Sequence, residues 1–155
     1  GKKFYPVFFD VVKKLLKPKG IGLLQTIGSA KDELADPWIT KYIFPGGFIP
    51  ALQVIVNIMN QKGLVFFDIE DLRRHYAKTL DKWIERFEEN IDKIRKVLIK
   101  SLGSGERAEE FLRMWRLYLN GSSISFKMGN SRLYQITFSN SLNNHFPLTR
   151  NYIYS

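Results

Sequence analysis

A chain of 155 residues, 45% hydrophobic and 25% charged, can bury a sizeable core and is not a disordered segment. The lack of cysteine excludes disulfides and thiolate metal sites and fits a reducing compartment, and two histidines, His75 and His145, are too few for an ordinary zinc centre. The net charge of +9 suggests an anionic partner, either a phospholipid surface or nucleic acid, with simple solubility as the plain alternative.

The first predicted element is a helix over residues 4–16, with Phe4, Val7, Phe8, Val11, Val12, Leu15 and Leu16 at helical spacing and lysines opposite. Lys17-Pro18-Lys19-Gly20 stops it and turns the chain. Ile21 to Ile27 then reads as a short buried strand, the rhythm of an α/β sheet.

Next comes Asp36-Pro37-Trp38-Ile39-Thr40-Lys41-Tyr42-Ile43-Phe44-Pro45-Gly46-Gly47-Phe48-Ile49-Pro50, a segment as apolar as a core. Its three prolines and paired glycines rule out one continuous helix or a central strand. Pro50 suits the first position of a following helix whose apolar face is Leu52, Ile55, Val56 and Met59, with Gly63 at its end. Leu64 to Ile69 is the second strand, and residues 72–98 return to helical spacing through Leu80, Ile84, Phe87, Ile91, Ile94 and Leu98, with Trp83 beside them. Gly103-Ser104-Gly105 reads as a turn before a helix carrying Phe111, Leu112, Trp115, Leu119 and Ile124. Arg132 to Phe138 alternates as the third strand, and the tail from Ser139 is polar and irregular. Three strands with four or five helices are too few for an independent doubly wound sheet; the pattern is half of one.

No dinucleotide fingerprint, phosphate loop or nucleophile elbow is present. His75 has no carboxylate partner visible in sequence, so a structural role is its default. Most aromatic residues fall on apolar helix faces, which favours core packing over stacking on nucleic-acid bases.

Four stretches nevertheless converge on a family: Tyr5 to Ser29 (YPVFFDVVKKLLKPKGIGLLQTIGS), Asp36 to Pro50 (DPWITKYIFPGGFIP), Asp71 to Asn90 (DLRRHYAKTLDKWIERFEEN) and Arg113 to Ser139 (RMWRLYLNGSSISFKMGNSRLYQITFS). Together they resemble the carboxyl-terminal part of the cyclopropane-fatty-acyl-phospholipid synthases, S-adenosylmethionine-dependent enzymes related to the mycolic acid cyclopropane synthases. The resemblance implies part of a single Rossmann-like class I methyltransferase domain: about three strands in a mixed sheet, with Arg132–Phe138 antiparallel between the other two. Residues 72–126 would form a helical insertion that helps to enclose lipid. The glycine-rich cofactor loop, the acidic residue for the ribose and an amino-terminal lid are expected before Gly1. Weak or absent cofactor binding is therefore expected of these residues alone.

The activity implied is transfer of a one-carbon unit from S-adenosylmethionine to the cis double bond of a phospholipid acyl chain, with bicarbonate as the base that lets a three-membered ring close. The resemblance carries over to Tyr76, whose hydroxyl would reach the bicarbonate, to Ile27 through its backbone N–H, and to Gln25, where the family usually has histidine. An amide donates and accepts hydrogen bonds but does not titrate, so methylation without ring closure stays open. The proline-rich segment would line the mouth of an acyl tunnel, or serve as a buried crossover on the sheet. Lys2, Lys3, Lys13, Lys14, Lys17 and Lys19 would meet an anionic bilayer from the cytoplasmic side, peripherally, and the intact enzyme could be a homodimer. A non-catalytic lipid- or membrane-binding module is the alternative from another class; a nucleic-acid binder is a distant third.

Overall fold

The three β-forming runs become β1 (Ile21–Ser29), β2 (Val65–Asp71) and β3 (Ser131–Ser139) of one sheet, in the order β1-β3-β2. The computed structural model describes residues 2–31 and 36–154. Both ladders are antiparallel, so β1 and β2 run the same way on either side of β3, as the resemblance implies. β3 takes the centre because its alternating residues fill both faces: Tyr134, Ile136 and Phe138 point to one side and Leu133 to the other, and all four are buried. The expected buried strand Ile21–Ile27 is corrected here, since β1 is an edge strand with Ile21 and Leu23 largely exposed. In β2 the register shifts between Phe66 and Asp68, which turns the Phe67 ring outward to stack on Phe146 at 4.1 Å.

One face of the sheet is covered by α1 (Tyr5–Leu15) and by the helix Leu52–Gln61. Phe9, Ile55, Met59 and Leu64 form a core there with the even-numbered residues of β3. The packing face of α1 differs from the expected one. Phe9 is buried with Tyr5, Val12 and Leu16 around it, whereas Phe4, Val7, Phe8, Val11 and Leu15 are 49 to 78% exposed. With apolar residues on most of its circumference, α1 has two candidate faces, and periodicity alone does not choose between them. Pro50 is buried two residues before the second helix instead of opening it; Ala51 is the cap.

The stretch expected to be helical from Leu72 divides at Asn90. In chain order α2 is Pro37–Tyr42, α3 is the Leu52–Gln61 helix, α4 is Arg73–Glu89, α5 is Ile91–Leu102 and α6 is Gly105–Met128. Gly103 ends α5 in the left-handed region at φ 67°, and Ser104 accepts from Arg107 N–H to begin α6, so the expected turn is a paired stop and start. Ala77, Leu80, Leu119, Phe126 and Leu133 form a second core on the other face of the sheet. Ile124, expected on the packed face of α6, is mostly exposed; Leu112, Leu119 and Phe126, seven residues apart, are the ones that pack. The polar tail closes with a turn at Arg150–Ile153 and anchors the loop after α1. Asn140 Nδ2 donates to Leu16 O at 2.8 Å and Asn143 Nδ2 to Lys19 O at 3.0 Å, where Lys19 itself has φ 60°.

Gly22 and Gly28 leave β1 room for the large rings of β3. A Cβ on Gly28 would lie 2.5 Å from the Tyr134 ring and 3.1 Å from Pro50 O. Gly28→Ala is expected to cost about 1–3 kcal/mol through overpacking, lowering the urea midpoint. Gly105→Ala, where a Cβ meets nothing within 4 Å, is expected to leave the midpoint in place. Equal midpoints for both variants would show that the Tyr134 ring yields freely.

Candidate active site

A short sequence of backbone links positions two of the three residues singled out above. Ile27 of β1 lies opposite Leu133 of β3. Leu133 C=O accepts from Leu72 N–H at 2.7 Å, and Leu72 C=O accepts from Tyr76 N–H at 3.0 Å. Tyr76 therefore sits in the first turn of α4, directly behind the sheet. Arg73 strengthens this corner, donating from Nη1 to Phe126 O at 2.7 Å and Lys127 O at 2.8 Å, so the start of α4 caps the end of α6. The ring of Tyr76 packs on Phe126 at 4.7 Å and edge-on to Trp83 at 5.9 Å. Ile27 and Tyr76 belong to the same hydrophobic cluster.

Gln25 lies two residues before Ile27, so its side chain shares that face of the sheet. The recorded partner of Gln25 is Gln135, whose Nε2 donates to Gln25 Oε1 at 2.8 Å. In that pairing the Gln25 amide keeps its two N–H donors available. The backbone of Ile27 is also suitably directed. Ala30 N–H donates to Asn130 O, toward β3, while Ser29 N–H donates to Pro50 O, away from β3. Donors alternate in direction along an antiparallel strand, so Ile27 N–H points with that of Ser29, to the side of β1 that β3 does not occupy. The phenol, the amide and the backbone N–H are each neutral donors.

The proline-rich segment proves to be structured. Asp36 caps α2, its Oδ1 accepting from Trp38 N–H at 2.8 Å and Ile39 N–H at 3.2 Å, with Pro37 in the first turn. A tight turn follows, Gly47 N–H donating to Phe44 O at 2.9 Å and Gly46 taking φ 72°. Between this segment, β1 and α6 lies an apolar cavity of about 380 Å3, walled by Ile27, Ile39, Phe44, Phe48, Tyr118 and Phe126. Of the two readings offered for the segment, a cavity wall and a buried crossover, it has the geometry of the first while remaining largely on the surface.

Sequence reasoning missed Gln135, Tyr118 and Phe126. Their signal lay within quoted motifs, but their proximity to Gln25 and Tyr76 arises only when β3 returns between β1 and β2. Burial first, and then the neighbouring Tyr118, push the Tyr76 phenol above the ordinary 10.0, so it remains a protonated donor at neutral pH. His75 is exposed on the first turn of α4. Among the described residues no group of histidine, aspartate and glutamate could hold a metal ion. The basic group near the start is partly engaged: Lys13 Nζ donates to Lys62 O at 2.6 Å and Lys19 Nζ lies 3.0 Å from His145 Nε2. Gly1 and the side chain of Lys2 lie outside the described residues.

A raised phenol pKa means that the folded state favours the neutral form. The stability tied to it is complete below about pH 10 and is lost as pH climbs through the raised value. Tyr76→Phe removes that loss, so urea unfolding followed from about pH 9 to 11 is expected to decline less steeply in the variant. Parallel declines would mean that Tyr76 titrates no differently in the folded and unfolded chains.

The sequence profile described as mycolic acid cyclopropane synthetase matches residues 1–136. The chain is 36% identical over 151 residues to the cyclopropane-fatty-acyl-phospholipid synthase of Escherichia coli (strain K12), covering 97% of this chain and 37% of that protein. It is 37% identical over 143 residues to the tuberculostearic acid methyltransferase of Mycobacterium tuberculosis, covering 88% of this chain and 32% of that one. Among solved structures, a mycolic acid cyclopropane synthase complexed with SAH and CTAB superposes with a TM-score of 0.75 at 27% identity, over 89% of this chain and half of that one. The chain thus spans between about a third and a half of the length of these relatives. With the profile unbroken from Gly1 across the cavity wall, Tyr76 and most of β3, the chain belongs to the mycolic acid cyclopropane synthetase family.

Proposed function

We propose that the protein carrying this chain transfers a one-carbon unit from S-adenosylmethionine to the cis double bond of a phospholipid acyl chain and closes it to a cyclopropane. The observation that carries this reading is the apolar cavity whose wall includes Ile27 and Phe126, with Tyr76 packed on the latter. Support also comes from the Escherichia coli relative, a cyclopropane-fatty-acyl-phospholipid synthase, and from SAH in one of the solved neighbours.

The cofactor, when bound, supplies an electrophilic methyl group, and this chain adds surroundings rather than the cofactor's own site. An alkene is a weak nucleophile, and its attack leaves a carbocation that water would quench. The lining is mostly apolar, which disfavours water, and it includes Phe44, Tyr118 and Phe126, aromatic rings of the kind whose faces stabilise positive charge. On the same reading, a bound bicarbonate would supply the base needed for the proton loss that closes the ring. Tyr76 hydroxyl, Ile27 N–H and the Gln25 amide would hold it beside the cavity, and their neutral donor character fits an anion. The protein would work from the cytoplasmic side on an anionic membrane surface, to which exposed lysines such as Lys14 and Lys17 add attraction. A homodimer of the intact enzyme belongs to the same proposal.

The test uses the longer protein containing these residues. Tyr76→Phe is expected to lower turnover by about 100-fold or more while circular dichroism stays unchanged; undiminished turnover would remove Tyr76 from the site. Gln25→His, with lipids analysed by proton NMR, tests ring closure, because a cyclopropane and the methyl-branched alkene left by proton loss without closure share one formula, and only the ring gives strongly upfield methylene protons. Cyclopropane lipid from the wild type supports the reading. Only methyl-branched product from both proteins would replace it with methylation alone.

A further inference from the structure

One residue in the cavity wall is not required by the fold. Gly121 lies in the interior of α6, a helix of 24 residues, where glycine is less favourable than alanine. A Cβ built there meets nothing within 4 Å, and its backbone is not in the left-handed region. Gly47, the other glycine lining the cavity, is different: its Cβ would come 3.0 Å from Phe44 O, so the turn is tight against any side chain there. Folding accounts for Gly47 but not for Gly121.

The position of Gly121 supplies the missing reason. Tyr118, one turn earlier on α6, meets Phe44 edge-on at 5.7 Å, so α6 and the proline-rich segment close on each other there. The next turn brings Gly121 and Ser122 to the cavity, and Gly121 is exposed while lining it, which places it at the mouth. We infer that Gly121 sets the clearance of that mouth and makes it wide enough for a bent, cis-unsaturated chain. A cis double bond kinks a chain and broadens its cross-section, whereas a trans or saturated chain passes through a narrower gap. The inference rests on the acyl-chain reading of the cavity and names the residue that gives it selectivity.

The experiment uses the longer protein containing these residues and displacement of fluorescent cis-parinaric acid by oleic or elaidic acid, the cis and trans isomers of one composition. Gly121→Leu is expected to weaken oleic acid by about tenfold or more and elaidic acid by less than about threefold, the scale on which single hydrocarbon groups discriminate in apolar pockets. Gly121→Ala is expected to move the same ratio in the same direction by less while raising the Tm, since helix propensity improves. Ile124→Phe, an exposed change elsewhere on α6, should leave both affinities as they are. Equal losses for the two acids, or none in either Gly121 variant, would overturn the inference and leave the acyl-chain reading intact. Failure of the wild type to bind either acid would instead sink that reading, and the role of Gly121 with it.

Discussion

The hydrogen bond from Leu72 N–H to Leu133 C=O, 2.7 Å long, is the constraint on which the candidate site depends. It joins the end of β2 to the middle strand at the residue opposite Ile27. A helix leaving β2 from this point has its first turn behind the sheet, and Tyr76 is in that turn. Without it, Ile27 and Tyr76 would be separated by two independent connections. The antiparallel return of β3 is what makes the bond possible. A strand entering the sheet between β1 and β2 is the one element that faces both.

The helix α6 then determines what surrounds these residues, and it does so with different faces. Leu112, Leu119 and Phe126 pack inward against α4 and the sheet. Arg116 forms a two-pronged ion pair with Glu88, at 2.6 and 2.8 Å, and Ser123 and Lys127 both donate to Asp81 Oδ1. Those contacts draw the Asp81 carboxyl below its usual range, Lys127 first and Ser123 second. Exposed pairs of this kind each contribute at most about 1 kcal/mol. Their value here is registration, since they fix the rotation of α6 about its own axis. That rotation presents Tyr118, Gly121, Ser122 and Ser125 to the cavity.

Local physics made much of this legible beforehand. The third strand was evident because Leu133, Gln135 and Thr137 alternate with Tyr134, Ile136 and Phe138, and the break at Gly103-Ser104-Gly105 was evident from its glycines. What stayed hidden required knowledge of partners. The sequence of α1 offers two apolar faces, and the choice of Phe9 over Phe8 depends on where Ile55 and Met59 lie. The break at Asn90 interrupts a continuous apolar repeat, so periodicity ran through it. Tyr76, Gln25 and Ile27 came from resemblance and not from spacing, because nothing in the 50 residues between Gln25 and Tyr76 links the two positions. Gln135 was unreadable for a related reason. Its role follows from lying directly opposite Gln25 in the ladder.

That pairing bears on the departure from histidine. On the proposed reading, an anion beside an apolar cavity must be held without losing its basicity. An imidazolium would bind bicarbonate tightly but would also stabilise the unprotonated form, making it a weaker base. Neutral donors hold the anion with less effect on its proton affinity. Gln135 donates to the Gln25 oxygen, which leaves the Gln25 N–H donors for an anion on the proposed reading. Tyr76 stays protonated because burial raises its pKa, and the backbone of Ile27 cannot titrate. On that proposal the three groups would offer donors whose charge is constant across neutral pH, so the proton would move between the substrate and its captured base while the surrounding residues keep theirs.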